Sequence, residues 1–132
     1  MNITDENTQA LILIAGGTET DRKILRSVFE HEYYVKEAQS SAQTLEIIHS
    51  QAVLAVLCDL EMPDCFEVLE RIGRENELLL FPVFAVTAEN DENGQMRAFD
   101  FGVEDIITKP VKPRVVLNRV QNAVKSRLSQ LD

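Results

Sequence analysis

Two stretches of the chain, Ala10-Leu-Ile-Leu-Ile-Ala15 and Val53-Leu-Ala-Val-Leu-Cys58, offer water no polar side chain on either face. A strand of this kind must be covered on both sides, which suits a parallel sheet packed between helices better than an antiparallel sheet with one wet face. Shorter runs, Val83-Phe-Ala-Val86 and Asp105-Ile-Ile-Thr108, repeat the pattern further along. Segments of helical periodicity separate them. Strand and helix in alternation predict βα units wound around one parallel sheet.

The intervening segments carry their own signals. Thr18 and Asp21 have capping-box spacing for a helix over roughly 20–31, with Ile24, Leu25, Val28 and Phe29 as its inward face. A strand near Tyr33-Tyr-Val35 mixes in polar neighbours and belongs close to a sheet edge. Ser40 and Gln43 repeat the cap, and Leu45 and Ile48 form the expected stripe of a second helix. A third helix is predicted over 66–75, with Phe66, Leu69 and Ile72 on one face. A weaker one spans 91–101, interrupted by Gly94, supported by Met96 and Phe99 and stopped by Gly102. Pro113 suits the first turn of a last helix whose stripe is Val116, Leu117, Val120 and Val124. One domain is therefore expected over 8–126, with 127–132 a polar tail that could begin a linker to an output domain.

At 132 residues one hydrophobic core suffices without disulfides or metals. With 22 acidic against 13 basic side chains the formal charge is −9, which disfavours nucleic acid and anionic membranes as partners. The apolar runs are too short to span a bilayer. Met1 to Gln9 includes Asp5 and Glu6 and no basic residue, unlike a secretory signal. A cytoplasmic location is expected, with Cys58 and Cys65 as reduced thiols; a regulatory pairing of the two is the remote alternative. His31 and His49 fall near helix ends, where the dipole favours them, and form no ligand cluster.

In an open parallel sheet, ligands bind beyond the carboxyl ends of the strands. Those ends here offer Gly16-Gly17, Asp59, Thr87 and Lys109. A carboxylate, a hydroxyl and an ammonium around a glycine-lined opening suit a phosphoryl group carried on the carboxylate. Gly-Gly lacks the spacing of a dinucleotide or P-loop fingerprint, and no nucleophile–histidine pairing is apparent, so an enzyme or nucleotide-binding reading is disfavoured. Taken alone, Thr87 could be a turn residue and Asp59–Lys109 a structural ion pair.

Three segments in order, Asp59-Leu-Glu-Met-Pro63 with Phe66-Glu-Val-Leu69, then Val86-Thr87-Ala88, then Gly102-Val-Glu-Asp-Ile-Ile-Thr-Lys-Pro110, resemble the receiver domains of two-component response regulators. The resemblance covers nearly the whole chain. It implies a CheY-like, flavodoxin-like (βα)5 three-layer sandwich with a five-stranded parallel sheet of order 2-1-3-4-5. It also implies Asp59 as phospho-acceptor, Thr87 and Lys109 as switch and phosphoryl-oxygen ligands, and a cis bond before Pro110. A histidine kinase or regulatory protein becomes the expected partner, alongside a fused output domain or a homodimer. The stretch from Lys109 to Val120 looks like receivers fused to cyclic-di-nucleotide enzymes or other output domains.

The departures are as informative. The acidic pair that follows the first strand in the family, and binds Mg²⁺, aligns with Gly16 and Gly17. This leaves Asp59 and the Glu61 carbonyl as ligands for a weakly held Mg²⁺, with Glu19, Glu61 and Asp64 expected to face solvent instead of substituting. Asp59 and Lys109 would then make a simple ion pair. The loop at Asp64-Cys65 is about two residues short, so its path should differ, and Ile106 replaces the switch aromatic. The surface around Phe99, Phe101 and Ile106 reads either as core or as a partner face. The leading expectation is a degenerate receiver acting through protein contacts, with weak or absent Mg²⁺-dependent phosphorylation. The alternative is a true phospho-acceptor taking a phosphoryl group on Asp59.

Overall fold

The computed structural model describes residues 9–75 and 80–129. Its elements run β1 (Leu11–Ala15), α1 (Glu19–Phe29), β2 (Tyr34–Ala38), α2 (Ser41–Ser50), β3 (Val53–Asp59), α3 (Cys65–Glu75), β4 (Val83–Ala88), α4 (Glu92–Asp100), β5 (Asp105–Lys109) and α5 (Pro113–Ser129). All strand pairs are parallel, in the order β2-β1-β3-β4-β5. This is the flavodoxin-like (βα)5 sandwich, with β3 central and β2 at an edge.

The strict apolarity of β1 is explained by its neighbours. Leu11, Leu13 and Ala15 face a layer formed by α2, α3 and α4, including Ile47, Val68, Leu69, Ile72 and Ala98. Ile12 and Ile14 face the opposite layer of α1 and α5, with Leu25, Phe29, Val116, Val120 and Val124. Every residue of β1 is buried.

Helix faces differ from the simple periodic reading in three places. In α1, Ile24 is exposed while Arg22 is buried, because Arg22 turns in to donate from Nη1 to the Gly17 carbonyl at 2.6 Å. In α2 the buried stripe is Thr44 and Ile47, and Leu45 and Ile48 only flank the core; Thr44 satisfies its hydroxyl on the Ser40 carbonyl at 2.7 Å. In α4, Met96 and Phe99 are exposed and Ala98 is the one buried residue. The capping box of α1 is complete, with Thr18 Oγ1 accepting from Asp21 N and Asp21 Oδ2 accepting from Thr18 N.

The second strand begins and ends later than the sequence suggests, since Tyr33 still belongs to the turn that closes α1. Helix α5 continues through Ser129, taking in residues 127–129 of the expected tail. Residue 8 of the expected domain, the remainder of the tail and most of the acidic N-terminal segment lie outside the described residues. Among the described residues, no helix is long and apolar enough to cross a membrane. His31 follows α1 in a turn, and His49 reaches from α2 to Glu75 Oε2 on α3 at 2.5 Å, so its partner is a carboxylate rather than a helix dipole alone. That contact, ahead of the one from Arg71, holds the Glu75 carboxyl below its usual pKa.

Leu57 lies fully buried in the central strand against the α1–α5 layer. Leu57→Ala is expected to lower unfolding free energy by about 2–5 kcal/mol. Met96→Ala, at a side chain on the exposed face of α4, should stay within about 0.5 kcal/mol. Urea unfolding of the two variants beside the parent measures both.

Candidate functional site

Strand β3 delivers Asp59 to the carboxyl edge of the sheet, and β5 delivers Lys109 to the same edge with β4 between them. Asp59 is 3% exposed. A carboxylate so placed is costly unless it is paired and hydrogen-bonded. Its Oδ1 accepts from the Glu61 N–H at 2.8 Å, and its Oδ2 accepts from Lys109 Nζ at 2.8 Å.

The pairing is not the simple one expected. Lys109 Nζ also lies 3.3 Å from Asp21 Oδ2 and 3.7 Å from Glu61 Oε2. One carboxylate oxygen from each of Asp21, Asp59 and Glu61 falls within 4.8 Å of the others. Asp21, the N3 residue of the α1 capping box, is the member that sequence reasoning missed, because its spacing from Thr18 already explains it as a helix cap. A residue on the first turn of the helix after β1 points at the same strand ends as the loop itself, and that is the signal by which it could have been found. Glu61 joins the cluster by its carboxylate, from a side chain that stays 68% exposed. Glu19 remains outside in an exposed pair with Lys23, and Asp64 is exposed.

Burial works against both charges at the centre, yet partners outweigh it. The Thr18 backbone N–H, Lys109 and the Thr18 side chain hold the Asp21 carboxyl below its usual pKa. Asp59, then Asp21, raise the Lys109 ammonium above its own.

Gly16 and Gly17 have φ of 81° and 79°, in the left-handed region. A Cβ on Gly16 would lie 2.6 Å from Met62 Cβ, and one on Gly17 would lie 2.7 Å from Asp59 Oδ2. The loop after β1 thus packs its bare backbone against Asp59, an approach closed to any residue with a side chain. Three carboxylates around one ammonium leave a formal excess of two negative charges. Hard oxygen donors with this excess fit a divalent cation such as Mg²⁺, which Asp21, Asp59 and Glu61 would hold.

Thr87 is buried at the end of β4 and donates its hydroxyl to Asp91 Oδ2 at 2.7 Å. Asp91 is the N-cap of α4, its Oδ1 accepting from Gly94 N at 3.0 Å. A Cβ on Gly94 would fall 2.1 Å from Asp91 Oδ2, so a side chain there would shift that carboxylate. Ile106 is buried on the α3–α4 side of the sheet, and Phe101 packs beside it against Phe66 with ring centroids 5.7 Å apart. Phe99, by contrast, is exposed. The Lys109–Pro110 peptide bond is cis. A concavity of about 530 Å³ lies elsewhere, at the opposite strand ends around Leu11, Tyr34 and the α1–β2 turn. Among the described residues, the cluster of Asp21, Asp59 and Glu61 lies apart from that concavity and is the chemically organised site.

Residues 12–121 match the family described as "Response regulator receiver domain". The chain belongs to the response regulator receiver family. It is 32% identical over 129 residues to the transcriptional regulatory protein ResD of Bacillus subtilis, covering 96% of this chain and 52% of that protein. It is 30% identical over 124 residues to the two-component response regulator ARR12 of Arabidopsis thaliana, covering 90% of this chain and 20% of that one. The receiver thus spans about half or less of these curated relatives. Among solved structures, the signal receiver domain of an HD domain-containing protein from Pseudomonas fluorescens superposes with a TM-score of 0.83 at 19% identity, over 98% of this chain and 97% of that one. A CheY-like receiver from Methanospirillum hungatei gives 0.82 at 21%, over 93% and 99%. Against the receiver pattern, this chain has an atypical acidic cluster, with glycines in the β1–α1 loop and Asp21 supplied by the helix that follows.

Two measurements follow from this geometry. Gly17→Ala combines a left-handed φ with a collision at Asp59, and should destabilise the fold by more than about 1 kcal/mol in urea unfolding. Asp21 has a depressed pKa in the folded receiver, so its contribution is present above the ordinary carboxylate value of about 3.9 and is lost as pH falls through the lower folded value. Asp21→Asn should therefore flatten the acid limb of the stability–pH profile, read by thermal unfolding between about pH 5 and pH 2. Lys109 titrates only at the alkaline end, its raised pKa making its contribution fade above its usual value of about 10.4.

Proposed function

We propose that this chain is an atypical, cytoplasmic receiver module that regulates a partner or a fused output domain through protein–protein contacts, with weak or absent Mg²⁺-dependent phosphorylation of Asp59. The observation that carries this reading is the glycine backbone packed against Asp59 where the family's acidic pair would stand. The negative charge it removes is replaced from α1 and from an exposed Glu61, and Lys109 already stands among those acids. In the same structure the Thr87 proton is committed to Asp91. Asp59 and Thr87 are then held in one settled arrangement.

The regulated partner belongs to a two-component pathway, a histidine kinase or a regulatory protein, and α4 is the face offered to it. Met96 and Phe99 are 69% and 52% exposed there, on the helix with the shallowest anchorage. A second copy of the chain could use the same face.

A second reading is favoured by one specific observation, the proximity of the Asp21, Asp59 and Glu61 carboxylates. In that reading the cluster holds Mg²⁺, which when bound neutralises the charge of an incoming phosphoryl group. Asp59 accepts that group, Lys109 binds one of its oxygens, and Thr87 leaves Asp91 to bind another.

Intact-mass spectrometry after incubation with Mg²⁺ and acetyl phosphate separates the two. The leading reading expects little or no addition of the phosphoryl mass of about 80 Da, beside a receiver with the acidic pair that is labelled in the same mixture. Near-complete addition to the parent and none to Asp59→Asn would overturn it and establish the phospho-acceptor.

A further inference from the structure

The two thiols of the chain meet directly beneath the acid cluster. Cys58 is the penultimate residue of β3 and fully buried, Cys65 opens α3 and is 2% exposed, and their Sγ atoms are 3.1 Å apart. Both are free thiols, and contact with Cys65, followed by burial, keeps the Cys58 thiol well above its usual pKa. Their contact is made by the loop between them. The Met62 N–H donates to the Asp59 carbonyl and the Cys65 N–H to the Met62 carbonyl, each at 3.0 Å, while Asp64 takes a left-handed φ of 62° that swings α3 back over the strand end. Met62 is buried in the same turn, against Gly16. The sulfurs lie about 1 Å beyond the 2.03–2.05 Å of a disulfide bond.

We propose that Cys58 and Cys65 are a modification site, a thiol–disulfide couple whose oxidised form the native fold favours over the unfolded chain. The oxidant class is a small disulfide such as oxidised glutathione. Cys65 sulfur attacks one of its sulfurs, making a mixed disulfide and releasing one glutathione thiol. Cys58 sulfur then attacks Cys65 sulfur, making the Cys58–Cys65 bond and releasing the second glutathione thiol. Two electrons pass from the protein dithiol to the small disulfide, and the two protein S–H protons end on the two glutathione thiols. Cys65 takes the first step because it opens α3 next to the exposed Asp64, whereas Cys58 is held in register between Ala15 of β1 and Ala85 of β4. The couple brackets Asp59 and Glu61, so its state sets the length of the tether on which two of the three clustered carboxylates stand. The site stands on this loop geometry alone and holds under either reading of Asp59 phosphorylation.

The chain has two cysteines, so an intramolecular disulfide has a single assignment. The test equilibrates the full chain in reduced and oxidised glutathione mixtures, approached from both the reduced and the oxidised protein, in native buffer and in denaturing urea. Acid quenching, alkylation and intact mass then give the oxidised fraction. The expected result is a monomer lacking two hydrogens, with an equilibrium constant for oxidation at least tenfold larger in native buffer than in urea. By linkage the oxidised protein then unfolds at higher urea, its stability raised by about 1.4 kcal/mol for each factor of ten. An equal or smaller constant in native buffer, a glutathione adduct as the final product, or a disulfide-linked dimer would each overturn the proposal.

Discussion

A carboxylate at the end of the central strand, buried and held by a lysine two strands away, is the constraint around which this receiver is arranged. Asp59 cannot be stripped of water without a partner, and Lys109 supplies it across β4 at 2.8 Å. Placing the ammonium there creates a second demand, because Lys109 is itself only 20% exposed. Asp21 and Glu61 answer it from two further elements, α1 and the loop after β3. One buried charge thereby ties together β3, β5, the first turn of α1 and the β3–α3 loop. Apart from β3 and the loop that continues it, these pieces are remote in sequence and meet at the carboxyl edge of a parallel sheet.

The glycines of the β1–α1 loop and the position of Asp21 are two sides of one arrangement. With φ near 80° and no Cβ, Gly17 brings backbone within reach of Asp59 Oδ2, and its carbonyl accepts from Arg22 at 2.6 Å. Side chains at 16 and 17 would have to displace Met62 and Asp59. Acidic residues in that loop conformation are therefore incompatible with Asp59 where it stands. A carboxylate reaching the cluster must come from farther along, and the capping box of α1 already orients one. Asp21 Oδ2 serves the helix start through Thr18 N and the site through Lys109.

How much of this was legible in the sequence divides along physical lines. The sheet was legible because burial on both faces leaves no polar residue in β1 or in β3 before Asp59, and such runs have few alternatives. Asp59 and Lys109 were legible because a charge at the end of an apolar strand demands a partner. The helix faces were less so: periodicity alone cannot foresee that Arg22 finds a carbonyl to bury against while Ile24 stays outside, or that Thr44 satisfies itself on Ser40. Asp21 was read as a cap, which it is, and local spacing carries no trace of a lysine 88 positions away. The Cys58–Cys65 contact depends on the path of a shortened loop, which composition does not encode.

The remaining connection runs from Thr87 outward. Its hydroxyl and the Gly94 N–H share the Asp91 carboxylate, one bond tying α4 to the end of β4 and the other capping its first turn. An N-cap of this kind contributes about 1 kcal/mol. That matters for α4 more than for its neighbours, since it buries one residue where α3 buries four. Gln95 also donates to the Ala88 and Glu89 carbonyls, and the Arg97 guanidinium lies 4.0 Å above the Phe66 ring on α3. This lightly held helix carries the exposed Met96 and Phe99 on its outer face. Ile106 of the neighbouring strand is buried in the core on the same side of the sheet. The Asp91 carboxylate is what joins the buried Thr87 at the strand ends to the first turn of α4.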